Sequence, residues 1–138
     1  MDFENLRGLT NAAEFFVTEN NIASALGSGS LKVLATPAMI QLIEIAAAEL
    51  VEKNLPQELT SVGIALNVKH TAPTPPGMKV RAEVKIISVD GRKITFEAEI
   101  FDELGEIGRG THERFIVNKK KFQNKADAKL MPSTDCSR

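Results

Sequence analysis

The sequence predicts an α+β fold in which one long central helix is wrapped by a curved antiparallel β-sheet. Two observations predict it. An apolar segment of helical periodicity starts at Thr36-Pro37, and runs with a period of two follow from Ser61 onward, two of them joined by the hairpin signal Asp90-Gly91. A chain of 138 residues fits one domain. We place that domain at residues 1–125 and interpret residues 126–138 as a frayed polar tail.

Composition excludes several classes of function. The 17 Lys and Arg residues balance 18 Asp and Glu residues, so we expect neither a nucleic-acid-binding nor a membrane-binding protein. The single cysteine, Cys136, excludes an internal disulfide and a cysteine zinc site and agrees with a reducing cytoplasm. The histidines, His70 and His112, lack zinc-ligand spacing, so no metal is expected. Apolar runs are shorter than the roughly 18 residues of a membrane span, and the acidic start does not resemble a signal peptide.

The N-terminal part of the chain gives one strand signal and one loop signal. Residues 13–18 predict a short strand. The stretch Gly27-Ser28-Gly29-Ser30 predicts a mobile loop inside the domain, because glycine and serine together break regular structure.

The strongest local signal is the helix. Thr36 is a good N-cap and Pro37 is favoured at the first helical position, so the helix is expected to begin there and to end before Pro56. Over its first three turns the only polar side chains are Gln41 and Glu44, a pattern typical of a central helix that is buried nearly all round. The apolar positions that share one face are Met39, Leu42, Ile43, Ala46, Ala47 and Leu50.

Four strands are predicted after the helix, each with apolar residues at every second position. We expect one face of each strand on the core and the other in water. The stretches are 61–69, 80–87, 94–100 and 107–117, with a further turn at 104–106. A sheet of this size cannot cover both sides of the helix, so we expect its edge to pair with a second copy of the chain.

After Asn118 the chain turns basic and then polar, which predicts a frayed end. We interpret Lys119-Lys120-Lys121 as solvated surface rather than a phosphate site.

Glu44 and His70 are the first candidates for chemistry. Glu44 lies among apolar helical neighbours, and a buried carboxylate needs a cationic or hydrogen-bonding partner. The alternative is that its side chain reaches the helix edge and finds water. His70 ends a predicted strand, just before the proline-rich loop at 71–77, and could supply that partner. A lone histidine at such a place is more often structural than catalytic.

Two interpretations of Thr36 are open: it caps the helix, or it donates a hydrogen bond to an oxyanion. A helix N-terminus carries positive potential and free N–H groups, which stabilise developing negative charge. Thr36 and Glu44 are eight residues apart, roughly 12 Å along a straight helix. They cannot hydrogen-bond directly unless the Thr36 segment folds back, and the other arrangements are that they flank a substrate or meet across a dimer interface. The string Gly108 to Phe115 is either a surface strand or a place where glycines let a ligand backbone approach closely.

Three strings together resemble a known family. They are Leu34-Ala35-Thr36-Pro37 with Glu44, then His70-Thr71-Ala72-Pro73-Thr74-Pro75-Pro76-Gly77, then Gly110-Thr111-His112-Glu113-Arg114. From about Ser30 to Lys125 the chain resembles the hotdog-fold thioesterases of the fluoroacetyl-CoA thioesterase type. The resemblance implies a hotdog fold and a homodimer, with further pairing of dimers left open. It also implies acyl-CoA near the subunit interface, hydrolysis of its thioester, and no cofactor beyond the coenzyme A of the substrate.

The same resemblance implies roles for particular residues. Thr36, Glu44 and His70 form the catalytic set, and Gly77 and Arg114 lie around the site. Glu44 is then either the nucleophile, giving a transient anhydride, or the base for a water. His70 protonates the departing thiolate or polarises the water, and Thr36 together with the helix N-terminus holds the oxyanion.

One departure from the family bears on the substrate. Fluoroacetyl-CoA thioesterase carries phenylalanines before its catalytic threonine, whereas this chain has Gly27-Ser28-Gly29-Ser30 there. Selectivity for fluoroacetyl is therefore not predicted, and a more open pocket with a different short or medium acyl group agrees with the sequence at least as well. Two other functions remain open from the sequence: an acyl-CoA-binding protein without turnover, and an enoyl-CoA hydratase or dehydratase.

Overall fold

The computed structural model describes residues 2–130 and confirms the α+β prediction. Residues 131–138, which include Cys136 and most of the predicted tail, lie outside the described part. Within residues 2–130, none of the helices has the length and hydropathy needed to cross a membrane. The elements in chain order are a 3-10 turn at Glu4–Leu6, β1 (Thr10–Phe16), α1 (Ala23–Leu26), α2 (Thr36–Glu52), β2 (Leu59–His70), β3 (Lys79–Asp90), β4 (Lys93–Asp102), β5 (Gly105–Asn118), α3 (Lys119–Asp127) and a 3-10 turn at Ala128–Leu130.

The sheet covers one side of the central helix α2. Its five antiparallel strands lie in the order β1-β3-β4-β5-β2, and α2 packs across one face against β1, β2, β3 and β4. The prediction that α2 is buried nearly all round is wrong on its outer face, where Gln41 is exposed and Ile45 is 40% exposed. The reason is geometric, because a single five-stranded sheet reaches only one side of a helix. The helix residues buried against the sheet are Ala38, Met39, Leu42, Ile43, Ala46, Ala47, Leu50 and Val51.

Strand β2 forms an open edge of the sheet and contains a β-bulge. Its register with β5 shifts between Gly63 and Ala65, which leaves Ile64 as the extra residue. Val68 packs against the core, whereas Ile64 and Leu66 are 50% and 38% exposed. The sequence predicted that these two side chains lie on the core face of the strand. Within one copy of the chain their burial is incomplete, because among the described strands β2 pairs with β5 alone.

The predicted turns and boundaries agree with the structure, with two shifts. The hairpin at Asp90-Gly91 is confirmed, and Gly91 takes the positive φ of 61° that a tight turn requires. The predicted strand at 13–18 begins earlier, as β1. The frayed end predicted after Asn118 is wrong up to residue 127, because α3 forms there with the Asn118 side chain accepting from the Lys121 amide at 2.9 Å.

Candidate functional site

Thr36 and His70 are in direct contact. The Thr36 hydroxyl lies 2.8 Å from His70 Nδ1, so the first turn of α2 is joined to the last residue of β2. The prediction that Thr36 caps the helix is wrong. Ala35 is the N-cap residue, Thr36 is the first helical residue, and within the described part of the chain no side chain caps this end. The Thr36 hydroxyl is engaged by the imidazole instead of by a backbone amide of its own helix.

The bulge in β2 turns the His70 side chain toward α2. Before the bulge, Leu59 and Ser61 face the helix; after it, the inward positions are the even-numbered ones, which end in Val68 and His70. Without the extra residue the alternation of side chains would turn His70 to the opposite face of the sheet. One inserted residue therefore brings the imidazole to Thr36.

The loop after His70 is firmly anchored. The Thr71 amide donates to the Ile107 carbonyl at 2.7 Å, and the fully buried Thr74 hydroxyl donates to Asp102 Oδ2 at 2.8 Å. The Thr74 carbonyl in turn accepts from the Leu34 amide, two residues before Thr36. These bonds fix the two segments that carry Thr36 and His70 relative to each other.

The imidazole of His70 has one nitrogen free of protein partners. Its Nε2 is buried and makes no hydrogen bond within residues 2–130. Burial lowers the pKa of His70, and the backbone of Ala72 partly offsets this. The ring is therefore neutral at neutral pH, and a buried ring nitrogen without a protein partner is suited to meet a ligand or water.

Thr36 and His70 line a cleft of about 280 Å³. The loop predicted at 27–30 contributes Ser28 to its wall. The other lining residues are Ala23, Val33, Leu34, Thr71, Ala72 and Pro73. A larger cleft, about 460 Å³, is lined by Arg81, Glu83 and other charged side chains. Because Arg81 there is paired with Glu14 and Glu83, we place the site at Thr36 and His70.

Glu44 forms a second polar cluster with Arg114. Its Oε2 lies 3.8 Å from Arg114 Nη1, and its side chain is 43% exposed. The structure combines the two interpretations of Glu44, because the carboxylate reaches the helix edge and also has a cationic partner in Arg114. Arg114 is buried, and its guanidinium donates to Ser61 Oγ at 2.8 Å and to the Ser61 carbonyl at 3.0 Å. The charged neighbour of Glu44 in this chain is thus Arg114 and not His70.

Three glycines lie in close contact with neighbouring groups, and two of them, Gly108 and Gly110, leave no room for a side chain. A Cβ on Gly63 would lie 3.0 Å from Glu44 Oε2 and 3.3 Å from the His112 ring. A Cβ on Gly110 would collide with the Asn67 carbonyl of β2, and one on Gly108 would lie 2.7 Å from a β2 carbonyl. The glycines of β5 therefore admit the neighbouring strand rather than a ligand backbone. Gly63 was missed from the sequence, although a glycine inside an alternating strand is the signal for it.

The two clusters lie apart within one chain. Gly63, beside Glu44, and His70 are seven residues apart on β2, which corresponds to roughly 20 Å. Gly77 lies farther along, in the turn before β3, where it has a φ of 98° and its amide donates to the Val17 carbonyl at 2.8 Å. One copy therefore brings Thr36 to His70 and Glu44 to Arg114, but it does not bring the two pairs together.

The chain is similar to known proteins over most of its length. The fluoroacetyl-CoA-specific thioesterase family matches residues 17–120. The fluoroacetyl-CoA thioesterase of Streptantibioticus cattleyicolor is 38% identical over 98 residues, which are 71% of this chain and 70% of that protein. A structure of a fluoroacetyl-CoA thioesterase variant in complex with acetyl-CoA has a TM-score of 0.84 at 32% identity, covering 91% of this chain and 98% of that one.

A more distant structure supports the fold alone. A hot-dog-like protein from Thermanaerovibrio acidaminovorans is 21% identical and has a TM-score of 0.88 over 96% of this chain and all of that one. The long helix on a five-stranded antiparallel sheet matches this architecture. The family match and the 38% identical relative confirm the resemblance expected from the sequence. The chain therefore belongs to the fluoroacetyl-CoA-specific thioesterase family and has a hotdog fold.

Proposed function

We propose that this protein hydrolyses short- or medium-chain acyl-CoA thioesters at the cleft of Thr36 and His70, with Glu44 completing the site. The observation that carries the proposal is the 2.8 Å contact between Thr36 Oγ1 and His70 Nδ1, with His70 Nε2 buried and without a hydrogen-bond partner among residues 2–130. A thioester carbonyl is reactive enough for a hydroxyl, an imidazole and a carboxylate to cleave it. The family match and the relative crystallised with acetyl-CoA support this substrate class.

Thr36 is assigned to the oxyanion. The amides of Ala38 and Met39 already donate to the Ala35 carbonyl, and Pro37 has no amide hydrogen. We therefore assign the Thr36 hydroxyl and amide to this role rather than the whole helix terminus. If His70 Nδ1 carries the proton, it donates to Thr36 Oγ1 and leaves the hydroxyl hydrogen for the oxyanion. Nε2 is then unprotonated, so it takes a proton from water and passes that proton to the departing thiolate.

Glu44 has two possible roles with different intermediates. As nucleophile, its carboxylate oxygen bonds to the acyl carbon, the carbon–sulfur bond breaks, the thiolate takes a proton, and water hydrolyses the resulting anhydride. As base, it removes a proton from the water that attacks the carbonyl. Reduction with borohydride during turnover, followed by mass spectrometry of the Glu44 peptide, separates these roles, because only the anhydride is reduced to an alcohol.

A homodimer resolves the distance between Glu44 and His70. The open edge of β2 exposes Ile64 and Leu66 together with unpaired backbone groups. Antiparallel pairing of this edge with a second copy, centred between Leu66 and Asn67, places His70 of one copy beside Gly63 of the other, since residues equally far from the centre face each other. Glu44 of the second copy then reaches the cleft of the first.

Mixed dimers test this arrangement directly. Glu44→Gln and His70→Ala are each expected to abolish most thioester hydrolysis while leaving the dimer folded. A heterodimer with one substitution in each copy keeps one complete site if Glu44 and His70 come from different copies. We expect it to recover about half of the wild-type rate of thiol release. Activity no higher than that of the single-variant homodimers would overturn the shared site, and full activity of either homodimer would overturn the catalytic assignment.

The substrate range follows from the loop at the cleft. Ser28, from the loop at 27–30, lines the cleft beside Thr36 and His70, and its side chain is small. We therefore propose that acyl groups longer than fluoroacetyl fit here. A thiol-release screen over acyl-CoA chain lengths and α-substituents measures this. A sharp preference for fluoroacetyl-CoA would contradict it.

A cytoplasmic location remains part of the proposal, because acyl-CoA is an intracellular substrate class.

A further inference from the structure

His112 is a fully buried polar side chain that the proposed chemistry does not use. It lies on β5, with no exposed surface, and its ring stacks on Phe96 with centroids 5.8 Å apart. Both ring nitrogens have hydrogen-bond partners. Nδ1 lies 2.9 Å from the Ala65 carbonyl, and Nε2 lies 3.2 Å from Arg114 Nη1.

The two partners determine where the proton of the ring sits. A carbonyl only accepts hydrogen bonds, so Nδ1 must carry the hydrogen and donate it to Ala65. A guanidinium only donates, so Nε2 must be unprotonated and accept from Arg114. Since both nitrogens are used in this way, the neutral ring with hydrogen on Nδ1 is the one form that satisfies both contacts. The buried guanidinium beside it disfavours a positive charge on the ring.

Each partner of His112 belongs to a different part of the site. Ala65 directly follows the extra residue in β2, so its carbonyl lies next to the bulge that turns His70 toward α2. Arg114 lies beside Glu44, and its remaining bonds go to Ser61 near the start of β2. His112 thus bridges the bulge of the edge strand and the guanidinium that faces Glu44.

We infer that His112 is a positioning residue that, as the neutral Nδ1–H tautomer, holds the Arg114 guanidinium toward Glu44 and ties it to the bulge in β2. This inference rests on the proposed function, because it assigns His112 a role only through Arg114 and Glu44. Ser61 holds Nε and Nη2 of Arg114, and His112 holds Nη1, which is the atom nearest Glu44. Loss of the imidazole acceptor frees Nη1 while the other two bonds remain.

Kinetics of four variants test the coupling. His112→Phe keeps a flat ring beside Phe96 but removes both hydrogen bonds, and His112→Gln supplies an amide donor and acceptor. Arg114→Gln removes the group on which His112 acts, and Thr111→Val is a matched control at an exposed position of the same strand. Each is measured for kcat and KM in thiol release, with secondary structure and dimer mass recorded. The double variant of His112→Phe and Arg114→Gln completes a thermodynamic cycle.

The expected result is a loss that depends on Arg114. His112→Phe should lower kcat/KM by about tenfold or more, because Arg114 Nη1 loses the acceptor that holds it toward Glu44. His112→Gln should recover part of the loss, and Thr111→Val should match wild type. In the Arg114→Gln background, His112→Phe should change kcat/KM by less than about twofold. Equal losses in both backgrounds would overturn the inference while leaving the proposed function intact. Full activity of Arg114→Gln would instead remove Arg114 from the proposed site.

A spectroscopic measurement tests the tautomer without reference to activity. Imidazole ¹⁵N shifts of the labelled wild-type protein at neutral pH distinguish protonated from unprotonated ring nitrogens. We expect the His112 resonances to show hydrogen on Nδ1 and none on Nε2, and Arg114→Gln to perturb the Nε2 shift. A protonated Nε2 in the wild-type protein would contradict the assignment, since it could not accept from Arg114.

Discussion

The Thr36 hydroxyl lies 2.8 Å from His70 Nδ1, and this contact joins residues 34 positions apart in the chain. It commits the Thr36 side chain to the imidazole rather than to capping α2. The helix begins without a side-chain cap, although a cap of this kind typically contributes about 1 kcal/mol. Such a local departure from the stabilising arrangement is typical of a functional site.

Removal of the Thr36 hydroxyl should impair catalysis more than folding. Thr36→Val keeps the shape of the side chain but removes both the contact to His70 and the oxyanion donor. We expect kcat to fall by about 10²- to 10³-fold, the usual effect of losing one such donor. Thr36→Ser retains the hydroxyl and should stay within about tenfold of wild type. Steady-state thiol release measures both, and a wild-type kcat in Thr36→Val would contradict the role.

Gly63→Ala and Gly110→Ala should separate site geometry from strand packing. The new methyl on Gly63 lies 3.0 Å from the partly exposed end of Glu44, which can shift, and 3.3 Å from the buried His112 ring. We therefore expect a clear loss of kcat with a smaller loss of Tm than in Gly110→Ala. The methyl on Gly110 instead meets the β2 backbone, so Gly110→Ala should destabilise the fold by about 1–3 kcal/mol or more. Thermal melts and kinetics of the two variants, compared side by side, check this. Equal Tm losses would contradict it.

Stability should fall at acid pH because of the two histidines. Burial lowers the pKa of both His70 and His112 below the ordinary value of 6.5. Below pH 6.5 the unfolded chain binds more protons than the folded one, so the free energy of unfolding decreases as the pH falls. Above pH 6.5 the histidines are neutral in both states, and they cause no loss of stability there. Urea unfolding at about pH 7.5 and about pH 5.5 measures the difference. His112→Gln lacks one of the titrating groups and should show a smaller drop; an equal drop would exclude His112 as a contributor.

A larger side chain at Ser28 should shorten the preferred acyl chain. Ser28 lines the cleft of Thr36 and His70, so Ser28→Phe is expected to fill part of its volume. The ratio of kcat/KM for hexanoyl-CoA to that for acetyl-CoA should fall by about tenfold or more, since each methylene in an apolar pocket is worth about 1 kcal/mol or more. Ser30→Phe, on the same loop but outside the cleft lining, is the matched control. An unchanged ratio in Ser28→Phe would place the acyl group elsewhere.

Local patterns in the sequence determined most of the architecture. The start of α2 at Thr36, the alternating strands and the turn at Gly91 depend on neighbours within a few residues, so propensity and periodicity identify them. The family strings likewise pointed to Thr36, Glu44, His70 and Arg114.

Tertiary structure decided which of these residues meet. The alternation of residues 61–69 continues unbroken through Ile64, so no periodicity in the sequence locates the bulge that turns His70 inward. Burial of α2 on one face only follows from the width of the sheet, and it leaves Glu44 at the helix edge beside Arg114 rather than in the apolar core. Pairings between distant residues depend on strand register and sheet closure, which are properties of the packed chain and not of any short segment.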